Sequence, residues 1–220
     1  MARRDLTFRV FVSSTFSDLI AERSALQRSV FPRLREYCQQ KGARFQAIDL
    51  RWGVSEEAAL DQQTMNICLQ ELKRCQKVSP RPNFIVLLGD RYGWRPLPPQ
   101  IELKEFKALW TKVPKGQRRF LLKWYRRDNN ADPPEYCLQP RHVDVHDDRA
   151  EQEKQMAHEA EARRWSEEIE PRLCELLVNA ARQVFPETDD PRRQKYEDSA
   201  THQEIRHGAL QAEDAPNHVF

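Results

Sequence analysis

The sequence predicts an α/β fold, with a doubly wound, mostly parallel sheet interrupted by a long helical insertion. Three short apolar runs, at residues 8–12, 43–50 and 84–88, are separated by two stretches with apolar residues at helical spacing. Strands that alternate with helices through short links are typical of a parallel sheet with right-handed crossovers. The first and third runs are almost continuously apolar, as in strands buried on both faces.

The alternation of strands and helices ends near residue 95. Pro96, Pro98 and Pro99 open an insertion that we assign to residues 96–198, with short helices near 101–110 and 117–128, a long helix at 151–184 and a charged loop from 187. We therefore assign residues 1–95 to the first three β-α units. Residues 199–220 are interpreted as the last helix and the start of a further strand of the same α/β domain. We expect the chain to be an amino-terminal piece of a longer protein.

Composition gives no general argument for a nucleic-acid or membrane partner. Among 220 residues, 36 Lys and Arg nearly balance 34 Asp and Glu, for a net charge of +2. The five cysteines lack zinc-ligand spacing, which favours reduced thiols in a cytoplasmic protein. There is no P-loop and no other phosphate-binding glycine-rich loop. We expect no metal site and no cofactor in this piece.

Polar residues follow each predicted strand, and parallel strands would bring them to one edge of the sheet. They are Ser13 and Ser14 after the first strand, Asp49, Arg51 and Trp52 after the second, and Asp90, Arg91 and Tyr92 after the third. Guanidinium groups suit phosphates, and the two aromatic rings suit a base or a nicotinamide. The alternative is structural, with capping hydroxyls, aspartate–arginine ion pairs and packed rings.

Glu204 is the candidate catalytic carboxylate, because it lies on a short predicted helix just before the further strand. A carboxylate over the strand ends could stabilise an oxocarbenium ion at a ribose carbon. Equally, Glu204 could pair with Arg206 or Arg51.

Three motifs together resemble the amino-terminal domain of NACHT-and-WD-repeat proteins, telomerase-associated-protein-like chains and related bacterial STAND proteins. They are residues 10–18 with Glu22-Arg23, residues 49–53 and residues 87–93, extended by residues 124–128 with Pro133-Pro134 and by residues 199–208. The resemblance implies a multidomain signalling ATPase in which this domain precedes a NACHT switch and WD repeats. ATP is then expected only in the NACHT region, which this chain lacks.

The chain is also similar to TIR domains, whose fold is flavodoxin-like. Residues 10–12 match the first TIR strand, and Ser199 with Glu204-Ile205 resembles the serine and glutamate region of TIR helix C. In TIR enzymes that glutamate supports cleavage of the glycosidic bond of NAD. This chain departs from the pattern, because a long insertion precedes Ser199 and Thr201-His202 replaces the usual Trp-Cys pair.

Three functions follow as hypotheses. The first is a signalling module that acts by regulated self-association and protein contacts, without its own enzymatic activity. The second is a NAD glycohydrolase, with NAD as substrate, Glu204 as catalytic carboxylate and Ser13, Arg51, Trp52 and Tyr92 shaping the pocket. The third is a ribonucleoprotein-associated binding module.

Overall fold

The structure is a computed structural model, and it describes residues 6–15, 18–50, 60–143, 150–212, 214, 217 and 219. The chain divides into two compact units. The first unit comprises Met1–Ser55, Thr64–Trp94 and Asp198–Phe220, and the second comprises Glu56–Gln63 and Arg95–Glu197.

A parallel three-stranded sheet organises the first unit. Its strands are β1 (Thr7–Ser13), β2 (Arg44–Ile48) and β3 (Phe84–Val86), in the order β2-β1-β3. Both neighbours of β1 run parallel to it, with Phe8 opposite Phe45 and Phe11 opposite Phe84. The predicted α/β class with a mostly parallel sheet is confirmed.

Helices follow the first two strands of this sheet. They are α1 (Ile20–Ala25), a π-helical turn (Leu26–Val30), α2 (Phe31–Gln40) and α3 (Thr64–Val78). Pro32 lies in the first turn of α2, directly after the π-helical turn, so it removes one backbone N–H donor from a helical stretch that continues from α1.

The sheet face toward α3 carries the apolar core of the first unit. Phe11 and Phe84 stack with ring centroids 5.9 Å apart, and they are fully buried together with Leu72 and Cys75 of α3. Side chains alternate along a strand, so Phe8 and Val10 of β1 face the opposite side of the sheet.

The second unit contains a small antiparallel sheet that the sequence analysis missed. Its strands are β4 (Gln100–Glu102), β5 (Tyr125–Asp128) and β6 (Glu135–Leu138), in the order β4-β6-β5. The helix predicted over 117–128 was therefore wrong beyond Trp124. Tyr125 is fully buried and donates a hydrogen bond to Pro98 O at 2.7 Å, which fixes it in an extended chain.

Among the described residues of the second unit, five α-helices accompany this sheet. They are α4 (Leu103–Lys112), α5 (Arg118–Trp124), α6 (Glu151–Arg164), α7 (Glu170–Val184) and α8 (Pro191–Glu197). A π-helical turn, Trp165–Ile169, joins α6 to α7. Helix α8 lies within the predicted charged loop, and it is held because Tyr196 is buried and bonded to Glu105, which also pairs with Lys195 at 2.8 Å.

The chain then returns to the first unit. Helix α9 (Ala200–Ile205) begins at Ser199, whose hydroxyl accepts a hydrogen bond from His202 N at 3.2 Å, and a π-helical turn (Arg206–Leu210) follows it. Val219 forms a parallel bridge with Phe84 of β3. None of the helices described here is long and apolar enough to cross a bilayer.

Candidate functional site

The centre of the candidate site is a hydrogen bond between Ser13 and Glu204. Ser13 ends β1 and Glu204 lies on α9, yet Ser13 Oγ donates to Glu204 Oε2 at 2.6 Å. Both residues are buried, at 0% and 8% exposure. The parallel sheet and the returning helix thus bring together two residues that are 191 positions apart in sequence.

Arg23 of α1 joins the carboxyl ends of two strands. Its guanidinium forms an ion pair with Asp49, just after β2, and the two side chains are only 2% and 3% exposed. Arg23 Nη1 also donates to the carbonyl oxygens of Ser14 at 3.3 Å and Thr15 at 3.4 Å. Helical spacing predicts that Glu22 and Arg23 lie on the polar face of this helix, and for Arg23 that prediction is wrong, because its side chain is buried.

A cavity of about 140 Å³ lies beside Glu204. Its lining includes Ser14 and Thr15, Met65 and Cys68 of α3, and Arg23. The hydroxyl of Thr15 is buried and has no hydrogen-bond partner among the described residues. A cavity of roughly 150 Å³ is large enough for one benzene-sized ring.

Burial raises the pKa of Glu204 from 4.5 to about 7. Hydrogen bonds from Ser13 and Cys68 and the charge of Arg23 lower it, and the charge of Asp49 raises it, but desolvation is the largest effect. The pKa of Cys68 is raised to about 12, first by burial and then by Glu204, so Cys68 stays a thiol.

A carboxyl group with a pKa near neutrality can work in either protonation state at this site. Its ionised form can stabilise a developing cation in the cavity, and its neutral form can donate a proton.

The three site residues predicted after β3 do not line this cavity, although Gly93 and Trp94 from the same segment do. Asp90, Arg91 and Tyr92 are exposed. The backbone N–H of Arg91 donates to Asp18 Oδ2 at 2.8 Å, and Tyr92 Oη lies 2.8 Å from His202 Nδ1.

Only some of the other predicted site residues lie near Glu204. Ser13, Ser14 and Asp49 lie around Glu204 and Arg23, whereas Arg51 and Trp52 lie outside the described residues. The proposed pair of Glu204 with Arg206 does not form, because Arg206 Nε pairs with Asp198 at 2.9 Å.

Sequence reasoning missed Arg23 and Cys68 as members of the site. The ion pair of Arg23 had a signal in the sequence. Arg23 is the first arginine after β1, and Asp49, which could pair with it, directly follows β2. Cys68 had no such signal, because a cysteine on the apolar stripe of a helix is typical of an ordinary core position. In the part of the chain that the structure describes, no group of three or more His, Cys, Asp or Glu residues could hold a metal ion.

Comparison with known proteins identifies relatives. The model of the family described as "Domain of unknown function (DUF4062)" matches residues 9–170. NACHT domain- and WD repeat-containing protein 1 of Mus musculus is 44% identical over 121 residues, which is 54% of this chain and 8% of that protein. NACHT and WD repeat domain-containing protein 2 of Mus musculus is 38% identical over 136 residues, 60% of this chain and 8% of that protein.

Telomerase protein component 1 of Rattus norvegicus is 33% identical over 135 residues, covering 59% of this chain and 5% of that protein. The matched region thus spans less than a tenth of the length of these relatives. No solved structure matches the chain significantly.

Proposed function

The chain belongs to the family described as "Domain of unknown function (DUF4062)", and from that premise we propose that it is the signalling module of a multidomain NACHT and WD repeat protein of the STAND class. In this proposal the module acts in the cytoplasm by regulated self-association. ATP binds in the NACHT region, outside this chain. The relatives that carry NACHT and WD repeats in their names support this architecture.

The observation that carries the proposal is an open apolar groove on the sheet face that α2 partly covers. The groove measures about 440 Å³, and its walls include Phe8 and Val10 of β1, Ile85 of β3, and Leu34 and Tyr37 of α2. Large contiguous exposed apolar patches mark sites of protein–protein interaction, and this groove is the candidate for one.

A second copy of the chain is the occupant that the groove fits. Tyr37 lines the groove, yet 58% of its surface is exposed. One patch therefore offers both a projecting ring and an apolar hollow. A two-fold contact places the same patch on both copies, so it needs this self-complementarity.

The test compares two glutamate substitutions on exposed apolar residues. Tyr37→Glu puts a charge in the groove, and Met156→Glu puts one on α6 of the second unit, where Met156 is 61% exposed. Sedimentation equilibrium measures association at chain concentrations up to about 1 mM. Modules that are tethered in a larger assembly have an effective concentration of this order.

We expect wild type and Met156→Glu to associate with the same dissociation constant, and Tyr37→Glu to remain monomeric. A wild-type chain that stays monomeric throughout this range would contradict the proposal. So would a Tyr37→Glu chain that associates as well as wild type, since association would then use another surface.

A second candidate function is hydrolysis of the glycosidic bond of NAD, and the carboxyl of Glu204 beside its ring-sized cavity supports it. Ionised Glu204 would stabilise the oxocarbenium ion as nicotinamide leaves, and water would then add to the ribose carbon. Asp49 and Arg23 would keep the strand ends in place.

Nicotinamide release from NAD tests this candidate with wild type, Glu204→Gln and the control Glu36→Gln, an exposed position on α2. We expect release by wild type and the control, rising with pH as Glu204 ionises near pH 7, and none by Glu204→Gln. Equal background rates in all three proteins would exclude the activity.

A further inference from the structure

The second unit contains a pocket of about 270 Å³ whose walls come from four parts of the chain. The lining residues belong to the end of helix α5, to β5, to the segment after β6 and to helix α6. The lining residues that carry the argument are Lys123, Trp124, Arg126, His142, Glu161 and Arg164. We call this set the basic pocket.

The basic pocket has more positive than negative charge. Arg164 Nη1 lies 3.3 Å from Glu161 Oε2, so these two charges offset each other. Neither Lys123 nor Arg126 has a carboxylate within ion-pair distance among the residues that the structure describes. Two positive charges from different elements therefore line one concave site without a balancing anion.

Trp124 forms a buried part of the wall of the same site. The residue is 8% exposed, and its indole N–H has no hydrogen-bond partner in the described parts of the chain. Its ring is held edge-on against Trp165, with ring centroids 5.0 Å apart.

These features match a phosphate group. Guanidinium groups bind phosphate through paired N–H donors, and a phosphomonoester carries about −1.5 to −2 charges at pH 7, which balances Lys123 and Arg126. The volume lies just below the roughly 300 Å³ at which pockets for drug-sized ligands begin, so it suits a phosphate with a sugar-sized group.

An extended polyanion fits the site less well. Arg126 and its neighbour Arg127 on β5 are both exposed, but only Arg126 lines the pocket, because side chains alternate across a strand. We therefore propose that the second unit binds the phosphate group of a small phosphomonoester in the basic pocket.

The test is calorimetric titration of the 220-residue chain with ribose 5-phosphate, using two matched variants. Arg126→Gln removes a pocket cation, and Arg127→Gln removes the neighbouring cation outside the pocket, with the same change in net charge. We expect wild type to bind, Arg126→Gln to bind about tenfold more weakly, and Arg127→Gln to stay within about twofold of wild type.

Three results would overturn the proposal. One is no binding by wild type at about 10 mM ligand. Another is equal weakening in both variants, which would show a general charge effect. The third is tighter binding of a single-stranded RNA oligonucleotide that both variants weaken alike, which would show a nucleic-acid surface instead. Circular dichroism of the variants confirms that each one is folded.

Discussion

The carboxyl of Glu204 accepts a 2.6 Å hydrogen bond from Ser13, and yet its pKa is raised and not lowered. The reason is that a single hydroxyl replaces only part of the hydration that the carboxylate loses on burial. The ion pair of Arg23 with Asp49 does not reverse this, because Asp49 offsets the positive charge.

This pKa makes a prediction about stability. Folded Glu204 binds its proton more tightly than unfolded Glu204, so the protonated carboxyl stabilises the fold fully below about pH 4.5, and this stability is lost as the pH rises to about 7. The difference between the folded and unfolded pKa of Glu204 corresponds to about 3 kcal/mol in the free energy of unfolding. The free energy of unfolding of wild type relative to Glu204→Gln should fall by this amount over that range.

Urea titrations of both proteins at several pH values measure the difference. Groups other than Glu204 titrate alike in the two proteins and cancel. A difference that does not change with pH would show that Glu204 keeps an ordinary pKa, and that it is not buried against Ser13.

Residue by residue, the sequence predicted the site only in part. The rule that parallel strands end at one edge correctly joined Ser13, Ser14 and Asp49, and the position of Glu204 before a further strand placed it near them. The burial of Arg23 was not predictable from helical periodicity, which assigns a charged residue to the solvent face unless its partner is known.

At the scale of elements, the length of β3 explains why Asp90 and Arg91 do not reach the cavity. The apolar run predicts a strand as far as residue 88, but β3 ends at Val86. Leu87 N still donates to Ser13 O at 2.9 Å, and Leu88 is already 69% exposed. The chain has therefore left the sheet before Asp90, and hydropathy alone does not show where pairing ends.

The packing of the turn after α9 on β3 predicts a stability change. A Cβ on Gly208 would lie 2.7 Å from Cζ of the buried Phe84 ring. Overpacking of this kind costs about 1–3 kcal/mol, against about 1 kcal/mol that Ala gains over Gly in a helix. We expect Gly208→Ala to lower the free energy of unfolding.

Gly116→Ala is the control, because a Cβ there would have no neighbour within 4 Å. It should leave stability unchanged or raise it by about 0.4–1 kcal/mol. Urea unfolding followed by circular dichroism compares the two variants. Equal stability of Gly208→Ala and wild type would mean that the turn does not pack on Phe84.

At the scale of the whole molecule, the sequence predicted the parallel sheet but not the antiparallel one. The strands β4, β5 and β6 have three or four residues each, which is too short for a period-two pattern to stand out from the helices around them. The three strands of the parallel sheet were detectable because apolar runs mark them and helical stretches separate them.

The apolar groove beside α2 could not be predicted from the sequence either. Leu34 and Tyr37 follow the helical spacing of an ordinary core stripe, and only the structure shows that 37% and 58% of their surfaces stay exposed. The two exposed side chains carry the proposal of self-association, because they belong to the patch that a second copy would cover.

The most direct test of that proposal is an isotope-filtered NOE experiment on a mixture of 13C-labelled and unlabelled chain at about 1 mM. Our account predicts intermolecular NOEs between the ring of Tyr37 in one copy and the methyl groups of Val10 and Ile85 in the other. A spectrum without intermolecular NOEs, or with NOEs only from residues outside this groove, would contradict it.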